Sequence, residues 1–290
     1  MKQPVFEGVA TALVTPFQSS TVDYPKLEQL LDFQLASGVD AIVVCGTTGE
    51  AATMTPQEQL GVIAHCIRYV AGRCKVIAGT GSNSTAHCLE MSRVAASIGA
   101  DALLLVTPYY NKCTQAGLIA HYLSVADAVS IPVILYNVPS RTGVDISVDT
   151  YRVLAEHPNI GGVKEASASV CKTARILDAC GDQLPVWSGN DDEAVPMMSV
   201  GAKGLISVLS NIRPKQTLEM IRACQHGDFE KAGRMQVALM PLIDALFCEV
   251  NPIPVKQALN LAGFDVGLPR LPLTPLSEAN IQRLKTLLAS

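Results

Sequence analysis

The chain has 290 residues, 49% hydrophobic and 17% charged, too apolar for a disordered segment and sufficient for a sizeable core. Its net charge of −4, with lysines and arginines scattered, gives no basic footprint for nucleic acid or an anionic membrane. No apolar run approaches the roughly 18 residues that span a bilayer, and "MKQPVFEG" lacks the apolar core of a signal peptide.

A cytoplasmic setting is therefore expected. The nine cysteines agree with it, because the count is odd and no pair has CxxC spacing. Cys45, Cys66, Cys88 and Cys224 sit inside apolar patterns, where a thiol acts as a small hydrophobe.

In chain order, "GVATALVTPF" from Gly8 predicts the first strand. "ASGVDAIVVCG", ending at Gly46, predicts a helix closed by Gly38 and a second strand. "PQEQLGVIAHCIRYVAG" from Pro56 predicts a helix, with Thr55 as N-cap, Pro56 at N1 and Glu58 at N3, a capping box. "KVIAGTG" from Lys75 gives the third strand, and "STAHCLEMSRVAASIG" from Ser84 the next helix. "ASIGADALLLVTP", ending at Pro108, closes that helix at Gly99 and starts the fourth strand. "IPVILY" from Ile131, "NIGGVK" from Asn159 and "LPVWSG" from Leu184 give strands five to seven, two of them with proline at the first position, where its missing N–H is tolerated. "SVGAKGLISV", ending at Val208, closes a helix at Gly201 and supplies the eighth. Glycine suits the left-handed C-cap position in all three repeats, and the apolar runs mark strands covered on both faces.

Eight alternating β and α units with short connections predict an α/β fold, a (β/α)8 barrel over about residues 1–225. Residues 226–290 are expected to form a C-terminal helical region that ends with "SEANIQRLKTLL".

Catalytic groups in such barrels lie at the C-terminal strand ends. Those ends read "GTTGE", "TGSN", "TPYYN", "YNVPSRTG", "KEAS", "SGNDDE" and "ISVLSN" for strands two to eight. Alternation puts Ile134 and Tyr136 on one face of strand five, and Ile160, Gly162 and Lys164 on one face of strand six. If that face is interior, Lys164 and Tyr136 are neighbours and Gly162 leaves room for the lysine stem. The other register makes Lys164 a surface residue and turns Glu165 inward. Desolvation disfavours an ammonium, and a neutral amine attacks a ketone or aldehyde to form a Schiff base. A tyrosine and threonines supply the proton shuttling that imine chemistry requires.

"GTTGE" lacks the lysine and spacing of a phosphate loop; it suits a carboxylate site or a plain tight turn. "GNDDE" reads as helix capping by Asn190 or Asp191 in preference to a hard-cation site. The five histidines have no zinc spacing, so no metal is expected. "NPIPVKQALN" reads as a stiff helix entry, and Tyr109 with Tyr110 as a rim anchor or an interface anchor.

"GTTGE", "TPYYN", "YNVPSRTG", "GGVKEAS", "SGNDD" and "NPIPVK", in this order, resemble the dihydrodipicolinate synthase family. The likeness runs from about Gly8 to the C-terminus. It implies a cofactor-free homotetramer, a dimer of tight dimers, that condenses pyruvate with L-aspartate-4-semialdehyde through a lysine Schiff base. Lys164 matches the imine-forming lysine, which implies the inward register. The proton relay maps onto Thr47, Tyr136 and Tyr110, the last donated across the tight dimer. Thr48 matches the pyruvate carboxylate site and Arg141 the semialdehyde carboxylate site, while Gly189 and Ile206 line the pocket. Sister 2-keto-acid aldolases such as N-acetylneuraminate lyase share the lysine and tyrosine. Arg141 favours the synthase because it offers a second carboxylate site; a non-catalytic keto-acid-binding barrel ranks last. Many members of the family bind lysine as an inhibitor. Asn83 and Tyr109 are retained at that site, but Pro56 and His87 replace its usual histidine and glutamate, so little inhibition is expected.

Overall fold

Covered on both faces, the eight apolar runs have all become parallel strands. The computed structural model describes residues 2–289. The strands are β1 (Gly8–Ala12), β2 (Ala41–Val44), β3 (Lys75–Gly79), β4 (Ala102–Val106), β5 (Val133–Asn137), β6 (Ile160–Glu165), β7 (Val186–Ser188) and β8 (Gly204–Ser207). They close into one barrel in sequence order, with β1 pairing both β2 and β8. A small antiparallel hairpin, Phe17–Gln18 with Thr21–Val22, stands outside it. The predicted barrel is thus the observed one.

Strand alternation divides the core into two layers. Ile134 and Tyr136 of β5 face the barrel interior with Ala10, Ile77 and Ile206, while Val133 and Leu135 face the surrounding helices. Inside, Trp187 stacks on Phe6 with ring centroids 5.0 Å apart, and its indole N–H donates to the Phe6 carbonyl at 3.2 Å. Small residues at Ala10, Ala41 and Ala102 complete this interior layer.

Two strand details differ from simple alternation. Ile160 lies in the outer layer, not on the face of Gly162 and Lys164. The β5–β6 ladder slips between Val133/Ile160 and Ile134/Gly162, leaving Gly161 as an extra residue that shifts the facing of the later strand positions. Gly162 makes room for Trp187 and not for the lysine stem. A Cβ there would lie 2.5 Å from the indole and 2.5 Å from the Pro185 carbonyl, and its φ of 149° disfavours any side chain. Pro132 and Pro185 stand one residue before their strands. Each lacks an N–H but uses its carbonyl, which accepts from Leu103 and Val163 respectively.

The three glycines predicted to close helices all have positive φ: Gly38 at 82°, Gly99 at 99° and Gly201 at 112°. The Thr55–Glu58 capping box forms in both directions. Burial pushes the Cys66 thiol up to about 12, and those of Cys88 and Cys224 to about 11, so these cysteines are unreactive packing groups. Among the described residues, no helix is long and apolar enough to cross a membrane.

After the last barrel helix, Pro214–Gln225, come helices Phe229–Leu246, Ile253–Leu261 and Glu278–Ala289. This C-terminal part returns to the barrel mouth: Lys256 reaches Thr15 in the segment after β1, and Arg270 reaches the turn after β2.

Candidate active site

Lys164 points into the barrel. It is 5% exposed, sits in direct register with Tyr136 on β5, and holds its Nζ 4.4 Å from the Tyr136 ring centroid. Gly189, at the end of β7, lets the stem pass: a Cβ there would lie 2.9 Å from the lysine Cε and 2.7 Å from Ala166 Cβ. Ile206 is buried in the same interior layer.

Asp191 lies just beyond Gly189, and the structure corrects its expected role. It does not cap the turn it begins, and Asn190 instead donates its amide to Glu193 at 2.9 Å. The Asp191 carboxylate reaches across to the end of β8. There it accepts from Ser207 Oγ at 2.5 Å and from the Val208 and Leu209 N–H groups at 2.9 and 3.0 Å. Burial pushes this carboxyl up, while those hydrogen bonds and the Lys164 charge pull it back. Among the described residues, no group of three or more His, Cys, Asp or Glu side chains is arranged to hold a metal ion.

The "GTTGE" turn after β2 is fixed by a partner that the sequence did not reveal. Glu50 takes a left-handed conformation, φ 56°, and turns its carboxylate inward. It pairs with Lys256 Nζ at 2.7 Å and accepts from the Arg270 N–H at 2.8 Å, and both side chains of the ion pair are fully buried. Lys256 also donates to the carbonyls of Thr15 and Leu268 at 3.1 and 3.2 Å. Burial lowers its pKa, and Glu50 counters the shift. Beside this clamp, Thr48 is buried and its Oγ accepts from the Asn251 amide at 2.9 Å. Thr47 faces a cavity of about 390 Å3 that is also lined by Tyr136, Arg141, Asn251, His87 and Tyr109.

Arg141 sits on a one-turn helix, Pro139–Thr142, after β5. Its guanidinium donates to the Asn251 carbonyl at 3.3 Å. Tyr110 stands apart, 91% exposed with φ 71°. The Asn83 carbonyl accepts from the Asn111 amide at 3.0 Å on the same rim.

One further buried group was missed. Glu165, next to the lysine, faces outward into the sheet–helix layer. There it accepts from the Asn137 amide at 2.9 Å, the Tyr151 hydroxyl at 2.9 Å and the Ser167 N–H at 2.9 Å. Burial and this carboxylate hold the Tyr151 phenol well above its usual range. Asn137 and Glu165 are register partners, so their bond locks the pairing that sets Tyr136 beside Lys164. The adjacent dipeptides "YN" and "KE" carried the only signal: if Lys164 points in, Glu165 must point out.

Residues 5–290 match the dihydrodipicolinate synthetase family. The chain is 52% identical to the 4-hydroxy-tetrahydrodipicolinate synthase of Thermoanaerobacter sp. over 287 residues, covering 99% of this chain and 97% of that one. Among solved structures it resembles a chloride-inhibited dihydrodipicolinate synthase from Acinetobacter baumannii complexed with pyruvate, with TM-score 0.95, 45% identity and 98% of each chain covered. It also resembles the Cyanidioschyzon merolae enzyme with lysine bound, with TM-score 0.96, 41% identity, and 99% and 98% covered.

Proposed function

Since the chain belongs to the dihydrodipicolinate synthetase family and has 4-hydroxy-tetrahydrodipicolinate synthase activity in lysine biosynthesis, we propose that Lys164 is the amine that carries the reaction. The observation that supports this most is the buried, inward Lys164 in register with Tyr136 at the mouth of the barrel. Lys164 Nζ attacks the ketone carbon of pyruvate, and water leaves to give a protonated imine. That imine is an electron sink, so a methyl proton is lost and an enamine forms. The enamine carbon bonds to the aldehyde carbon of L-aspartate-4-semialdehyde. The semialdehyde's own amine then attacks the imine carbon, closing the ring and releasing Lys164.

Tyr136 and Thr47 line the cavity and move protons in these steps. Thr48 holds the pyruvate carboxylate, and Arg141 holds that of the semialdehyde by charge-assisted hydrogen bonds. Gly189 and Ile206 shape the wall. Tyr110, exposed in a single chain, completes the relay from across a tight dimer, two of which make a homotetramer.

Borohydride reduction in the presence of pyruvate tests the reading. A pyruvate-derived adduct on the peptide containing Lys164 is expected. Lys164→Arg should abolish it, because a guanidinium stays protonated and is no nucleophile. An adduct confined to another lysine, or none, would overturn the assignment.

A further inference from the structure

The two proposed carboxylate-binding residues meet at Asn251, which belongs to neither of the segments that carry them. Its amide donates to Thr48 Oγ at 2.9 Å, joining positions 203 residues apart. Its main-chain carbonyl accepts from Arg141 at 3.3 Å. The residue is 5% exposed and lines the cavity with Thr47, Tyr136 and Arg141. Its Oδ1 is buried with no partner among the described residues. An asparagine kept only for packing would satisfy both ends of its amide; this one uses its side chain on Thr48 alone.

The direction of that bond matters. A threonine hydroxyl has one hydrogen to give and two lone pairs to receive. An N–H arriving from Asn251 occupies a lone pair and leaves the hydroxyl hydrogen free for an anion. We propose that Asn251 is a positioning residue for the reaction: it fixes Thr48 as a donor to the pyruvate carboxylate and, through its carbonyl, sets Arg141 at a defined separation from it. This role rests on Lys164 acting as the imine-forming amine. The segment is held in place nearby, where Lys256 of the adjoining helix is locked to Glu50 at 2.7 Å.

The test is the pyruvate concentration giving half-maximal borohydride trapping in the intact enzyme, together with KM for each substrate and the thermal midpoint. Asn251→Asp offers only acceptor oxygens, so it draws the Thr48 hydrogen to itself and places a negative charge beside the carboxylate. The trapping midpoint should rise at least about tenfold, the scale of one hydrogen bond to a charged group. Asn251→Ala should also raise it, yet add almost nothing in a Thr48→Val background, because coupled residues are not additive. Both variants keep the carbonyl that holds Arg141, so KM for the semialdehyde should move much less than KM for pyruvate. A purely structural asparagine would shift both KM values and the thermal midpoint together. An unchanged trapping midpoint in Asn251→Asp, or full additivity of Asn251→Ala with Thr48→Val, would overturn the proposal while leaving Lys164 as the imine-forming residue. Absence of trapping in the unsubstituted enzyme would overturn the Lys164 assignment, and this proposal with it.

Discussion

Lys164 and Tyr136 are direct register partners on β6 and β5, with the lysine Nζ 4.4 Å from the tyrosine ring centroid. The ring face and the hydroxyl therefore have separable tasks. Tyr136→Phe retains the face over the amine and deletes the proton carrier. We expect kcat to fall by roughly 10² to 10⁴, with little change in the pyruvate concentration that saturates trapping. An unchanged kcat would remove Tyr136 from proton transfer.

Arg141 reaches the site from a one-turn helix and is steadied by a single bond to the Asn251 carbonyl. Arg141→Ala should chiefly raise KM for the semialdehyde and spare that for pyruvate. Steady-state kinetics with each substrate varied in turn decide the matter. An equal rise in both KM values would make Arg141 a structural residue.

The Glu50–Lys256 pair has no exposed surface on either side chain. Removing one partner strands the other charge, which typically costs about 3–5 kcal/mol, whereas replacing both is often neutral. Lys256→Met should lower stability on that scale in chemical denaturation, and Glu50→Gln with Lys256→Met should recover most of the loss. If Lys256→Met matched the parent, the pair would not be clamping the turn.

Arg270 grips Glu58 through two oxygens, at 2.6 and 3.0 Å, and that bond holds the Glu58 carboxyl down at about 2, against an ordinary 4.5. As pH falls the unfolded chain takes up this proton first. The stabilisation is therefore complete above about 4.5 and is lost as pH falls toward about 2. Unfolding free energies measured across that window should converge between the parent and Glu58→Gln. A difference that stays constant with pH would show that the ion pair contributes nothing.

L-Lysine should inhibit this enzyme weakly or not at all at neutral pH. His87 and Tyr109 line the same cavity as Arg141, and Pro56 opens its helix with no side-chain donor. A carboxylate facing an effector ammonium contributes about 1.5–3 kcal/mol, ten- to a hundredfold in affinity. His87 lacks that charge, and His87→Glu should restore sensitivity in an inhibition titration. Saturable inhibition of the parent below the millimolar range would mean that another carboxylate supplies the contact.

The eight strands were legible because a strand covered on both faces must be apolar throughout, and the helix ends because glycine and the Thr55–Glu58 box act locally. The features that escaped depended on distant partners. Nothing near "GTTGE" announces that Glu50 meets Lys256 some 206 positions later, or that Asn251 reaches Thr48. Asp191 sits where a helix cap belongs, yet it serves the turn after β8, where it accepts from the Val208 and Leu209 N–H groups. Lys164 could be placed at the mouth by pattern, but pattern alone left its facing open.

Gly161 explains why, and its effect is one of parity. In an unbroken strand Ile160 and Lys164 occupy even-spaced positions and must share a face. The extra residue at the bulge resets the count, so Ile160 joins the outer layer while Lys164 enters the barrel. The lower half of β6 is thereby free to obey packing and the upper half to obey chemistry. A graft of this catalytic end onto another barrel strand should thus begin after the bulge. Carried across with its lower half and paired residue for residue, with no bulge, the same "VKEAS" would turn its lysine to the helices and its glutamate to the substrate.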